Sequence, residues 1–156
     1  MLLEKYERDL INQYELIEYV GIAADEQPRL DRESNKNHNH PLVDWNWTES
    51  DALNYCYDKG FDWEGLYEIF DRVSCWCCPL QSLKDLKSLW KHFPDLWNEL
   101  NEMDKHTWRK FKPDYSVEEL TARFELEEKL EGEGKSINPH NKEFREALKN
   151  TINNLK

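Results

Sequence analysis

Three of the four cysteines in this chain stand in one five-residue run, Cys75-Trp76-Cys77-Cys78-Pro79. One small thiol fills a packing gap as well as three, so such density points to chemistry. Thiolates two or three residues apart can close on one soft metal ion or cluster. The fourth cysteine, Cys56, stands upstream and gives C-x18-C-x-C-C-P overall. Cys56, Cys75, Cys77 and Cys78 are therefore the candidate ligands, for Zn2+ or an iron–sulfur centre, provided the chain carrying Cys56 turns toward the run. The alternative is a cluster of reduced, half-buried thiols without metal. His38 and His40, two apart in a polar stretch beside Asp44, and His92 are further nitrogen donors, though each also reads as a solvated surface histidine. Trp76, between two cysteines, is expected either to shield such a site or to stand out as an anchor. Asp71-Arg72 would orient the loop or form a plain surface pair.

The bulk composition narrows the partners. The chain has 156 residues, enough for one domain with a hydrophobic core, and its aromatic share of 13%, seven tryptophans included, argues against disorder. A formal charge of −11 repels a phosphate backbone, so direct nucleic-acid binding is disfavoured and base stacking by the tryptophans with it. A basic protein or the basic groove of a nucleoprotein is the expected kind of partner. No apolar stretch approaches the roughly 18 residues that span a bilayer, and no signal-peptide pattern opens the chain. A cytoplasmic location follows as the expectation, and there thiols stay reduced.

The elements that must position these residues are mostly helical. An amphipathic helix is expected over residues 2–14, with Leu3, Tyr6, Leu10 and Tyr14 as its stripe, then a strand over 16–23. A polar loop covers 32–40, and 42–45 reads as extended. Thr48 with Asp51 makes a capping-box start for a helix to about Lys59, closed by Gly60. A short helix is expected over 63–70. Ser82 caps the next helix, Pro94 opens another, and Ser116 with Glu119 starts a long acidic helix to about Gly132. A last helix spans 139–154. Six or seven helices and one or two strands define a mostly helical α+β domain.

Three segments together resemble the phosphoadenosine-phosphosulfate (PAPS) reductase family, of the adenine-nucleotide α-hydrolase-like superfamily. These are Val20-Gly21-Ile22-Ala23-Ala24-Asp25-Glu26-Gln27-Pro28-Arg29, then Pro41-Leu42-Val43-Asp44-Trp45 with Thr48-Glu49, and finally Gly60-Phe61-Asp62-Trp63, Leu66-Tyr67 and Ser74-Cys75-Trp76-Cys77-Cys78-Pro79. The likeness covers about residues 17–80 of 1–156 and is greatest to the phage and mobile-element branch; 82–156 is a helical C-terminal region. It implies a remnant of an α/β nucleotide-binding domain, a C-x-x-C that in some members helps hold a [4Fe–4S] cluster, and Asp25, Glu26 and Arg29 lining a remnant ligand pocket.

The departures bear on activity. The family's Gly-rich phosphate loop and its C-terminal catalytic cysteine segment have no counterpart here. Two arginines that would face sulfate or phosphate are Ala23 and Ala24, and a methyl group cannot replace a guanidinium. The expectation is a truncated PAPS-reductase-like protein, non-catalytic alone, with a cysteine-rich metal site and a binding or adaptor role. One alternative is a sulfur-transfer or reductase subunit that works with a separate nucleotide-binding chain. Another is an acidic, anti-CRISPR-like phage inhibitor of a host defence nucleoprotein, presenting Glu118, Glu119, Glu125 and Glu128. An exposed strand edge near 17–22 would need cover, by the N-terminal helix or by a second copy in a homodimer.

Overall fold

The computed structural model describes residues 2–33, 38–135 and 137–155; of the polar loop expected over 32–40, residues 34–37 lie outside the described part. The chain divides into two compact units, Met1–Trp63 and Glu64–Lys156. No helix among the described residues is long and apolar enough to cross a membrane.

In the first unit α1 spans Leu2–Ile11, ending three residues before the expected boundary. Tyr6 and Tyr14 of its expected stripe are exposed, at 63% and 66%. A strand over 16–23 is not formed. Only β1, Glu18–Tyr19, pairs in parallel with β2, His38–Asn39, with Glu18 opposite His38 and Tyr19 opposite Asn39. Two features stop the ladder. Pro41 turns the partner chain into helix α3, Pro41–Asp44, and Ile22 N–H bonds back to the Val20 carbonyl over 2.9 Å, bending the first chain away. Residues 42–45 are thus helical rather than extended, because proline at the first helical position is pre-set for a helix. Between the paired strands lies α2, Gln27–Leu30, so the connection is a short crossover of the kind parallel pairing requires.

Helix α4, Glu49–Asp58, starts where the sequence says. Thr48 Oγ1 accepts the Asp51 N–H at 3.1 Å, and Asp51 Oδ2 accepts the Thr48 N–H at 2.9 Å. It ends in a Schellman motif: Phe61 N–H reaches the Cys56 carbonyl at 3.0 Å, Gly60 N–H reaches Tyr57 at 2.9 Å, and Gly60 takes φ +84. Ile22 and Ala23 are the buried residues among those described in this unit. Its core is thin.

The helix expected over 63–70 begins late. Trp63, Glu64 and Gly65 all have positive φ, forming a single left-handed turn, and α5 covers only Leu66–Ile69. The second unit then builds a real core from α6 (Leu83–His92), α7 (Pro94–Lys105), α8 (Val117–Gly132) and α9 (Lys142–Asn153). Helix α8 packs against both α7 and α9, and α6 against α7. Leu86, Leu89, Trp97, Leu100, Val117, Leu120 and Phe124 close the centre, while Phe144 and Leu148 bury the inner face of α9. Burial of such side chains stabilises by about 1.5–3 kcal/mol each. Trp97 Nε1 donates to Thr121 Oγ1 at 2.9 Å, which satisfies the one polar atom its ring brings inside. The buried Arg123 is matched by Glu127 at 2.8 Å and donates to the Tyr115 hydroxyl at 3.1 Å, and Lys87 approaches the other Glu127 oxygen at 3.3 Å. A buried ion pair of this kind survives only with its remaining hydrogen bonds filled.

Candidate thiol site

The cysteine run lies between α5 and α6 and is folded into two successive turns. Cys78 N–H donates to the Cys75 carbonyl at 3.0 Å, and Gln81 N–H donates to the Cys78 carbonyl at 3.2 Å. Burial alternates along it: Val73 and Trp76 are half-buried, whereas Ser74, Cys75 and Cys77 are exposed. The pattern follows from composition, because the apolar side chains turn to the core and leave the thiols outside. Cys78 is half-buried, and all four cysteines of the chain are free thiols. Trp76 is not an exposed anchor; it packs against the helical core.

Polar groups outside the turns hold them in place. Gln81 Nε2 donates to the Cys75 carbonyl at 2.7 Å and to Ser74 Oγ at 3.3 Å. Lys112 Nζ donates to the carbonyls of Pro79 and Gln81 at 2.7 and 2.8 Å. On the other side the buried carboxylate of Asp85 accepts the Asp71 N–H at 3.1 Å and the Ser82 hydroxyl at 2.8 Å, while Lys84 pairs with Asp71 at 2.6 Å. Asp71 thus orients the approach to the run; Arg72 is exposed. Neither Gln81 nor Lys112 was marked by any spacing in the sequence, and the only signal for Lys112 is its place in a polar loop.

Cys56 belongs to the first unit, in the last turn of α4, and is half-buried. Among the described residues, no group of three or more His, Cys, Asp or Glu side chains is gathered closely enough to hold a metal ion as the side chains stand. His92 is exposed in the last turn of α6. His38 is not a freely solvated loop residue. Its Nε2 lies 2.5 Å from Glu18 and its Nδ1 3.2 Å from Glu33, and hydrogen bonding to Glu33 raises its pKa above the usual histidine value, aided by the charges of Glu33 and Glu18 against partial desolvation. Its ring meets that of His40 edge-on at 6.5 Å.

The remaining candidates are engaged internally. Arg29 Nη1 forks onto Glu26 at 2.6 and 2.9 Å, and Glu26 also accepts the Ala23 N–H at 3.1 Å. Asp25 accepts the Glu49 N–H at 3.1 Å, which fills a free donor at the start of α4. Ala23 is only 2% exposed. On α8, Glu119 is bound by Lys110 at 2.6 Å and Glu128 by Lys91 at 3.0 Å, leaving Glu118 and Glu125 as the exposed pair.

No protein-family model, curated protein or solved structure matches this chain.

Proposed function

We propose that the protein is a non-catalytic binding module of PAPS-reductase-like ancestry, in which the cysteine run holds one soft metal centre. The observation that carries this reading is the double turn, with two exposed thiols and a third half-buried, tied from both sides by Gln81 and Lys112. Such pre-positioning lowers the ordering cost of ligation. Zinc or a cluster asks for a fourth donor from outside the run. Ancestry is supported by the parallel pair with its short crossover. Loss of catalysis is supported by the buried Ala23, by the Glu26–Arg29 fork, and by Asp25 serving α4. The exposed thiols also suit a partner chain that supplies the nucleotide loop.

The test is metal and acid-labile sulfide content, with the visible spectrum, of protein purified without oxygen. One zinc per chain, or about four iron with four sulfide and brown absorption, supports the reading if Cys75→Ser and Cys78→Ser abolish it. Wild-type protein with no bound metal sinks the proposal.

A second reading, docking of a basic partner on α8, draws on Glu118 and Glu125, which are exposed and seven residues apart on one stripe of the helix. It predicts binding that weakens steeply with salt and is lost in Glu118→Lys/Glu125→Lys. Binding indifferent to salt would count against it.

A further inference from the structure

Behind the cysteine run the second unit holds a half-open cavity of about 360 Å3. Its apolar walls come from α5 to α7, chiefly Leu66, Leu89 and Leu96, with Phe70 and Phe93 stacked at 5.8 Å with planes 20° apart. Trp76 and the exposed residues Arg72 and Cys75 contribute from the loop. This volume falls within the range of small-molecule sites, which combine apolar walls with a few fixed polar groups.

One polar group here lacks a partner. Gln81 also lines the cavity, and its Oε1 is shielded from solvent yet accepts no hydrogen bond from any described residue. The amide orientation is set by the Cys75 carbonyl, which can only accept and lies 2.7 Å from Nε2. A shielded carbonyl oxygen left unpaired is costly and rare in folded proteins, and a ligand donor would remove that cost.

We infer that this cavity binds a small planar aromatic molecule carrying one N–H or O–H donor, with the ring against the Phe70–Phe93 pair and the donor on Gln81 Oε1. The inference does not rest on the metal reading, since of the lining residues only Cys75 is a candidate ligand. Indole has the required shape and single donor, and 1-methylindole keeps the ring while removing the donor.

The experiment is a titration of the full chain, as purified, with each compound, read by amide and indole N–H nuclear magnetic resonance. Indole is expected to bind in about the millimolar range. It should shift the Trp76 indole N–H and the amides of residues 73–81, with 1-methylindole about 3- to 10-fold weaker. Val73→Phe, which adds bulk to the loop wall, should abolish the shifts, and Gln81→Met should bring the two compounds to equal affinity. If either variant fails to fold, the comparison of the two compounds on the wild-type chain still decides. Equal affinity there overturns the role of Gln81. Shifts scattered outside this region, or none up to the solubility limit, overturn the site.

Discussion

Lys112 and Gln81 are 31 residues apart in sequence, yet the Lys112 ammonium donates to the Gln81 carbonyl oxygen over 2.8 Å. The same ammonium holds the Pro79 carbonyl, so one cation fastens the end of the cysteine run to the loop before α8. Lys112→Met keeps the stem and removes both bonds. Bonds to a charged donor contribute about 1.5–3 kcal/mol, less where solvent competes. The variant should lose about 1–2 kcal/mol of stability, exchange the Gln81 amide faster, and show quicker alkylation of Cys78. Unchanged exchange at Gln81 would mean that the turns hold themselves.

His38 makes the first unit sensitive to pH. Glu18 and Glu33 lie 2.5 and 3.2 Å from its two ring nitrogens, and both negative charges favour the protonated ring. Its pKa is raised in the folded state, chiefly by the Glu33 hydrogen bond, so the stabilisation is complete below the unfolded value of about 6.5. It is lost as pH rises through the folded value. The denaturant midpoint of this unit should fall from pH 6 to pH 8, and His38→Gln should flatten that slope. A midpoint that climbs over this range contradicts the clip.

Placing an arginine at position 23 should not create an anion site. Ala23 is only 2% exposed, and the adjacent Glu26 carboxylate is already engaged by the Ala23 N–H and by Arg29, so a guanidinium there would lack room, water and an uncommitted partner. An uncompensated buried charge costs about 3–5 kcal/mol. Ala23→Arg is therefore expected to unfold the first unit, seen as collapsed amide dispersion for residues 16–60. A folded variant that binds adenosine phosphosulfate would overturn this account.

The two units should also differ in resilience. Phe124 has no exposed surface and its ring meets Trp90 and Trp97 at 5.9 and 5.8 Å. Phe124→Ala should cost the second unit about 3–5 kcal/mol by leaving a cavity. In the wild type, amides of α8 should exchange far more slowly than those of β1 and β2, because only Ile22 and Ala23 are buried among the described residues of the first unit. Similar protection in both would show that the thin core is compensated elsewhere.

The starts of α4, α6, α7 and α8 were legible in the sequence because each is decided by one or two residues. Thr48–Asp51, Ser116–Glu119, Ser82 and Pro94 all act as their side-chain chemistry requires. The strand over 16–23 was over-read, since β-branched residues report only that a chain suits a sheet, while the partner is cut short by Pro41. Proline at 41 also signalled the short helix that the extended reading of 42–45 passed over. At the site, cysteine identity and spacing marked the run, but its surroundings were invisible: the cavity draws on residues from Leu66 to Leu96, and Lys112 arrives from 31 positions away. Such convergence is a product of packing and leaves no local period to read.

The run turns Val73 and Trp76 inward and leaves Cys75 and Cys77 outside, which separates two fates within a few residues. Oxidising or alkylating Cys75 and Cys77 alters exposed groups, while Val73 and Trp76 keep their half-buried places. The fold can therefore outlive its own sulfur chemistry. A chain whose thiols have been spent should keep its shape, so probes of folding will not tell it from the intact form.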